Sequence, residues 1–241
     1  MEGSLTRVDS GNAQSGPYFE IKTRFIQDLL QKALPTDKFP GGVEMFYPTA
    51  PHLVWPSTPL SDDESDDFSF EEKGSQQQTW TWGFTGDHQR DRIERWEDSI
   101  WYLLDVIKES GPFDGIVAFS LGAAVALTLL SLTEGKASEE VMGALGLDLT
   151  DLPPRFKFAI CCSGFVFKHP FYDSLYAPKI KTPTLHFVSA WDPVILENLT
   201  LRAAARCSMS RLVYHPGSHF VPRGRFAQKA MLEFVMEHTL S

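Results

Sequence analysis

The sequence predicts an α/β fold, a mostly parallel central sheet with helices on both faces. Three observations carry that expectation. Short apolar runs alternate along the chain with longer stretches of helical periodicity, the pattern of repeated β-α units. Several of those runs stop at a turn carrying one polar residue, where open α/β sheets place their sites. A length of 241 residues, 43% of them hydrophobic, suits one such domain with a substantial core.

Taken in order, residues 1–17 read as a divergent N-terminal segment and 18–241 as a single domain. Phe19 to Leu34 places Phe19, Ile21, Phe25, Ile26, Leu29, Leu30 and Leu34 on one face of an amphipathic helix. Val43 to Tyr47 predicts a short strand stopped by Pro48 and Pro51. Ala50 to Pro56 reads as an apolar, aromatic loop able to wall a pocket, with His52 expected to anchor it. Residues 57–78 carry the run Asp62-Asp63-Glu64-Ser65-Asp66-Asp67 and read as a solvated loop. Trp80, Trp82 and Phe84 restore bulk, as pocket lining or as ordinary packing.

Asp87 to Ser110 predicts a long helix with a stripe of Ile93, Trp96, Ile100, Trp101, Leu103, Leu104 and Ile107, ended by Gly111-Pro112. Ile116 to Phe119 is a buried strand, followed by a turn at Ser120 and an apolar helix. Residues 133–154 form a connection with a short helix near Val141 to Leu147, expected to act as a lid. Phe156 to Phe165 is the next core strand. Strands at 183–188 and 211–214 then alternate with helices at 194–205 and 225–238. No internal repeat is present.

The net charge of -9 and a pI near 5.2 argue against a nucleic-acid partner, since no basic stripe exists to neutralise phosphates. An acidic surface does not favour anionic membranes either. No apolar run of about 18 residues is present to span a bilayer, and Met1 to Ser15 lacks the apolar core of a signal peptide. The expected location is therefore cytoplasmic. Cys161, Cys162 and Cys207 read as buried, inert thiols.

The chemistry concentrates at three turns. Ala118-Phe119-Ser120-Leu121-Gly122 sets a serine between a strand and a helix, with small residues where the two backbones approach closely. This is the pattern of a nucleophile elbow. The bland alternative is a serine that merely caps the next helix. Downstream, Ser189-Ala190-Trp191-Asp192-Pro193 and Pro216-Gly217-Ser218-His219-Phe220 come after predicted strands. Ser120, Asp192 and His219 thus lie at strand ends in the chain order of an α/β-hydrolase triad. For Asp192 the structural reading is a helix N-cap ahead of Pro193, and for His219 a loop histidine bonded to backbone. Of the seven histidines only His215 and His219 stand four apart, and Pro216 and Gly217 between them argue against a helix, so neither metal nor cofactor is expected.

The chain resembles the FSH-type family of serine hydrolases, which are α/β-hydrolases. The matching pieces are Gly111-Pro112-Phe113-Asp114-Gly115 with Ala118 to Ala124, Tyr47-Pro48-Thr49-Ala50-Pro51-His52, Ser189 to Val194, and Gly217-Ser218-His219-Phe220-Val221-Pro222. They run from about residue 15 to the C-terminus. The resemblance implies the α/β-hydrolase fold, a Ser120–Asp192–His219 triad, and hydrolysis of esters or thioesters. It also implies an oxyanion hole from the backbone N–H groups of Leu121 and of a loop near Asn12. Several relatives release polyketide chains in secondary metabolism, which makes the acyl-carrier domain of a synthase one partner the resemblance implies. The chain departs from the family at its start, where Ser10-Gly11 stands in place of His-Gly. That departure supports one alternative, a catalytically impaired accessory or binding protein on the same scaffold, and among enzymes a small-ester carboxylesterase is the alternative to the thioesterase.

Overall fold

The computed structural model describes residues 7–9 (backbone alone), 15–54, 79–86 and 90–240. In chain order the elements are β1 (Arg7–Asp9), α1 (Gly16–Ala33), β2 (His52–Val54), β3 (Thr79–Thr81), α2 (Trp96–Ser110), β4 (Gly115–Phe119) and α3 (Leu121–Thr133). Next come α4 (Glu139–Leu145), β5 (Phe158–Cys162), α5 (Asp173–Tyr176), β6 (Thr184–Val188), α6 (Glu197–Ala205), β7 (Ser210–Tyr214) and α7 (Arg225–Thr239). Strands β1, β4, β5, β6 and β7 pair in that order, every pair parallel. The α/β-hydrolase architecture expected from the sequence is present.

Strands β4, β5 and β6 are buried at every residue because both faces of the sheet are covered. Side chains alternate between two cores. Ile116, Ala118, Ala159 and Cys161 join the cluster built by α2 and α3. Val117, Phe119, Phe158, Ile160 and Cys162 join the one built by α1 and α7. Helix α3 is buried along its whole length, which explains a sequence apolar on all sides.

Several expectations shift. Ile21 is 67% exposed because it lies about 200° around the helix from Phe19, and the buried stripe runs Phe19, Ile26, Leu30, Leu34. Residues 43–47 form no named strand, although Val43 and Met45 face inward as a strand would place them. Part of their backbone bonding goes to α1 side chains, with Val43 N–H donating to Gln31 Oε1 at 2.7 Å and Gln27 Nε2 donating to Val43 O at 3.2 Å. Helix α2 begins at Trp96, later than its periodicity indicated. Phe84 and Glu94 first exchange two backbone bonds, and Arg95 at φ 61° turns the chain into the helix.

His52 to Val54 pairs antiparallel with Thr79 to Thr81, a ribbon that local pattern missed because its partner strand is distant in sequence. The acidic stretch 57–78 lies outside the described residues. Trp82 is fully buried in the core, so it packs and does not line an acyl pocket.

The lid expected at 133–154 is corrected by topology. Helix α3 runs from Ser120 to the opposite edge of the sheet, and there Glu134 accepts from Lys181 and Thr182 N–H just before β6 begins. At its other end Lys157 N–H bonds Asp114 O, ahead of β4. Between these anchors α4 packs beside α2, where Trp101 Nε1 donates to Leu145 O at 2.7 Å. The segment braces the edge away from Ser120.

Candidate active site

Strand β4 delivers Ser120 at the carboxyl edge, and α3 starts one residue later. So tight a reversal needs an unusual backbone, and Ser120 takes φ 54°, ψ -125°. Such a conformation costs a non-glycine residue on the order of 1–3 kcal/mol. The surrounding packing holds it: Ser120 is 7% exposed and its N–H donates to Cys162 O at 2.9 Å. The hydroxyl makes no capping bond to α3, which removes the bland reading of this serine.

Asp192 comes after β6 and is 4% exposed. Its Oδ1 accepts the N–H groups of Val194 and Ile195 at 2.9 and 2.8 Å. These bonds shape a turn, and α6 begins only at Glu197, so Asp192 is not the cap of that helix. Its Oδ2 lies 2.8 Å from His219 Nδ1. Burial alone would raise the carboxyl pKa. The bonds from His219 and Ile195, the neighbouring Ser163 hydroxyl and the Val194 N–H outweigh it and hold the pKa below its ordinary value. Ser163 sits at φ 49° just after β5, and its Oγ falls outside strict hydrogen-bond geometry while still acting on the carboxylate. Its role was not legible in the sequence.

His219 lies on the loop after β7. Its Nε2 is 3.1 Å from Ser120 Oγ, completing a continuous chain from hydroxyl to imidazole to carboxylate. Two contacts fix the ring and its loop. The Phe119 ring lies against it with centroids 4.6 Å apart, and Ser189 Oγ donates to Gly217 O, tying the acid turn to the histidine turn. A Cβ at Gly217 would fall 1.9 Å from the Phe220 ring, so a side chain there would force that ring to move.

The other site residues divide. Leu121 opens α3 directly after the serine, so its N–H belongs to the unpaired first turn of that helix. Asn12 lies outside the described residues. Strand β1 does form, however, and its last residue, Asp9, is in register with Ala118, two residues before Ser120. His52 is buried near Arg95 O at 3.1 Å and Ser99 Oγ at 3.3 Å, away from the triad. Burial lowers its pKa, the mark of a neutral structural histidine. The three cysteines are buried, and burial raises the thiol pKa of Cys207 to about 11. Among the described residues no group of three or more His, Cys, Asp or Glu is gathered to hold a metal ion. No described helix is long and apolar enough to cross a membrane.

Comparison with known proteins bears on the family and the fold. A family model described as serine hydrolase (FSH1) matches residues 10–231. A Schizosaccharomyces pombe protein named dihydrofolate reductase is 28% identical over 93% of this chain, which spans 45% of that protein. Its name describes the whole of a longer chain and carries no reductase activity to this one. Family of serine hydrolases 3 from Saccharomyces cerevisiae is also 28% identical, over 89% of this chain and 77% of its own. Among solved structures, Zea mays acyl-protein thioesterase 2 superposes with a TM-score of 0.63 at 15% identity, covering 99% of this chain and 95% of that one. At that identity it speaks for the fold alone. With the family model spanning nearly the whole chain, the protein belongs to the FSH1 family of serine hydrolases.

Proposed function

We propose that the protein hydrolyses a carboxylic ester or thioester through an acyl-enzyme on Ser120, with His219 as general base and acid and Asp192 as its orienting carboxylate. The observation that carries the reading is the hydrogen-bonded chain Ser120–His219–Asp192. His219 Nε2 takes the Ser120 proton as Oγ attacks the carbonyl carbon. Asp192 keeps the other ring proton on Nδ1 and stabilises the imidazolium that forms. The oxyanion is held by Leu121 N–H and by an N–H of the loop after β1, assigned to Asn12. His219 then gives its proton to the leaving oxygen or sulfur, whose bond to the acyl carbon breaks. Water enters, loses a proton to His219, attacks the acyl-enzyme and releases the acid with Ser120 restored.

The pairing of β1 with β4, whose Asp9 stands in register with Ala118, favours the hydrolase reading over the impaired-scaffold alternative. A carrier-bound acyl thioester and a small free ester remain the two forms of substrate. Turnover of an acyl-carrier thioester against a simple ester of the same acid separates them. The reading itself is tested with a fluorophosphonate probe. Rapid labelling that Ser120→Ala abolishes is expected, and folded protein that resists labelling overturns the assignment.

A further inference from the structure

A cavity of about 240 Å³ opens beside the site, walled by Phe19, Phe119, Phe220 and Val221 and bounded by His219. Lys22 from α1 and Arg223 from the histidine loop complete it. No carboxylate lines it among the described residues, although the chain as a whole carries a net charge of -9. Neither cation forms an ion pair with a described carboxylate. Lys22 Nζ rests 4.3 Å from the Tyr18 ring centroid and the Arg223 guanidinium 5.1 Å from that of Phe25. Arg24, on the same helix as Lys22, instead meets Glu20 at 3.0 Å. An aromatic face holds a cation without consuming its N–H donors, which stay free for an anion.

We propose that this cavity receives the leaving half of the substrate, and that Lys22 and Arg223 bind an acidic group on it. The inference rests on the catalytic reading above. His219 must hand its proton to the departing oxygen or sulfur, so that half of the substrate lies against the imidazole, while the acyl half is bonded to Ser120. A cavity that has His219 among its walls, and not Ser120, is on the departing side. Its volume falls below the roughly 300–1,000 Å³ of sites for drug-sized ligands. The acidic group therefore sits only a few bonds from the cleaved atom, as in a short hydroxy acid or a small phosphorylated alcohol. A pantetheine arm, with its phosphate many bonds from the sulfur, matches poorly.

The test compares butyryl esters of glycolic acid, of 2-hydroxyethyl phosphate and of neutral glycolamide. At low salt the protein is expected to favour one or both anionic esters by about tenfold or more in kcat/KM, an advantage that shrinks as salt rises. The better of the two identifies carboxylate or phosphate as the natural group. In the double variant Lys22→Gln, Arg223→Gln the anionic-to-neutral ratio is expected to approach one. Because the readout is a ratio, an overall loss of activity does not obscure it. A second measurement needs no variant: glycolate or 2-hydroxyethyl phosphate should slow fluorophosphonate labelling more than glycolamide does. Equal rates on all three esters, or a ratio unchanged in the double variant, overturns the inference. So does a preference that tracks a carboxylate moved to the acyl half. Labelling and turnover without discrimination defeats this inference alone, whereas absence of both defeats the catalytic reading beneath it.

Discussion

Replacing Asp192 with asparagine changes one atom, and the surrounding hydrogen bonds dictate the consequence. Oδ1 is committed to the Val194 and Ile195 N–H groups at 2.9 and 2.8 Å, so the carboxamide must keep its oxygen there. Its NH2 then occupies the Oδ2 position, 2.8 Å from His219 Nδ1. Two donors cannot share that contact. The imidazole proton therefore moves to Nε2, and Nε2, 3.1 Å from Ser120 Oγ, can no longer accept the serine proton. An equivalent tautomer error in a serine protease lowers kcat by about 10⁴-fold, or about 5 kcal/mol of transition-state stabilisation. The assay is kcat on an activated ester, with thermal melting to confirm folding and 15N NMR of His219 to read the tautomer. A folded Asp192→Asn variant within tenfold of the wild-type rate, with the proton still on Nδ1, would refute the reasoning.

The remaining predictions concern stability and pH. Ser120→Gly should abolish labelling yet raise stability by about 1 kcal/mol, because glycine accepts φ 54° without strain; a lower melting temperature would count against strain at the turn. Gly217→Ala should displace Phe220 and with it His219, costing about 1–3 kcal/mol and at least tenfold in kcat, measured by denaturant titration and ester turnover. Burial lowers the His186 pKa from 6.5 to about 4, so the folded state holds this ring neutral while the unfolded state protonates. Its stabilising contribution is whole above pH 6.5 and falls by about 3 kcal/mol as pH drops to 4. Asp192, whose pKa is depressed, acts in the same direction at lower pH, its contribution disappearing as pH falls from 3.8 through its folded value. His186→Gln should flatten the stability profile between pH 6.5 and 4, as read by denaturant midpoints across that range. Glu134→Ala removes the partner of Lys136 at 2.6 Å and the acceptor for Lys181 and Thr182, and should cost about 3 kcal/mol in chemical denaturation.

The sequence by itself determined the fold class and the three residues at the strand ends. Buried parallel strands need unbroken apolar runs, and their turns sit where those runs stop, so Ser120, Asp192 and His219 could be placed at one rim without coordinates. Periodicity likewise located α1 and α7, since each buries a face against the sheet, while an unbroken apolar stretch after Ser120 located α3. What it could not supply was anything that depends on two distant segments meeting. The β2–β3 ribbon, the late start of α2 behind the Phe84–Glu94 pairing, and the burial of Trp82 all depend on partners that local pattern does not reveal. The bracing role of 133–154 came from the direction of α3, which carries that segment to the edge opposite Ser120. Tertiary structure alone placed Ser163 beside the acid and brought Lys22, on the first helix, and Arg223, after the last strand, to the walls of one cavity. A side chain's type is written in the chain, but its neighbours are settled only when sheet, helices and turns close on one another.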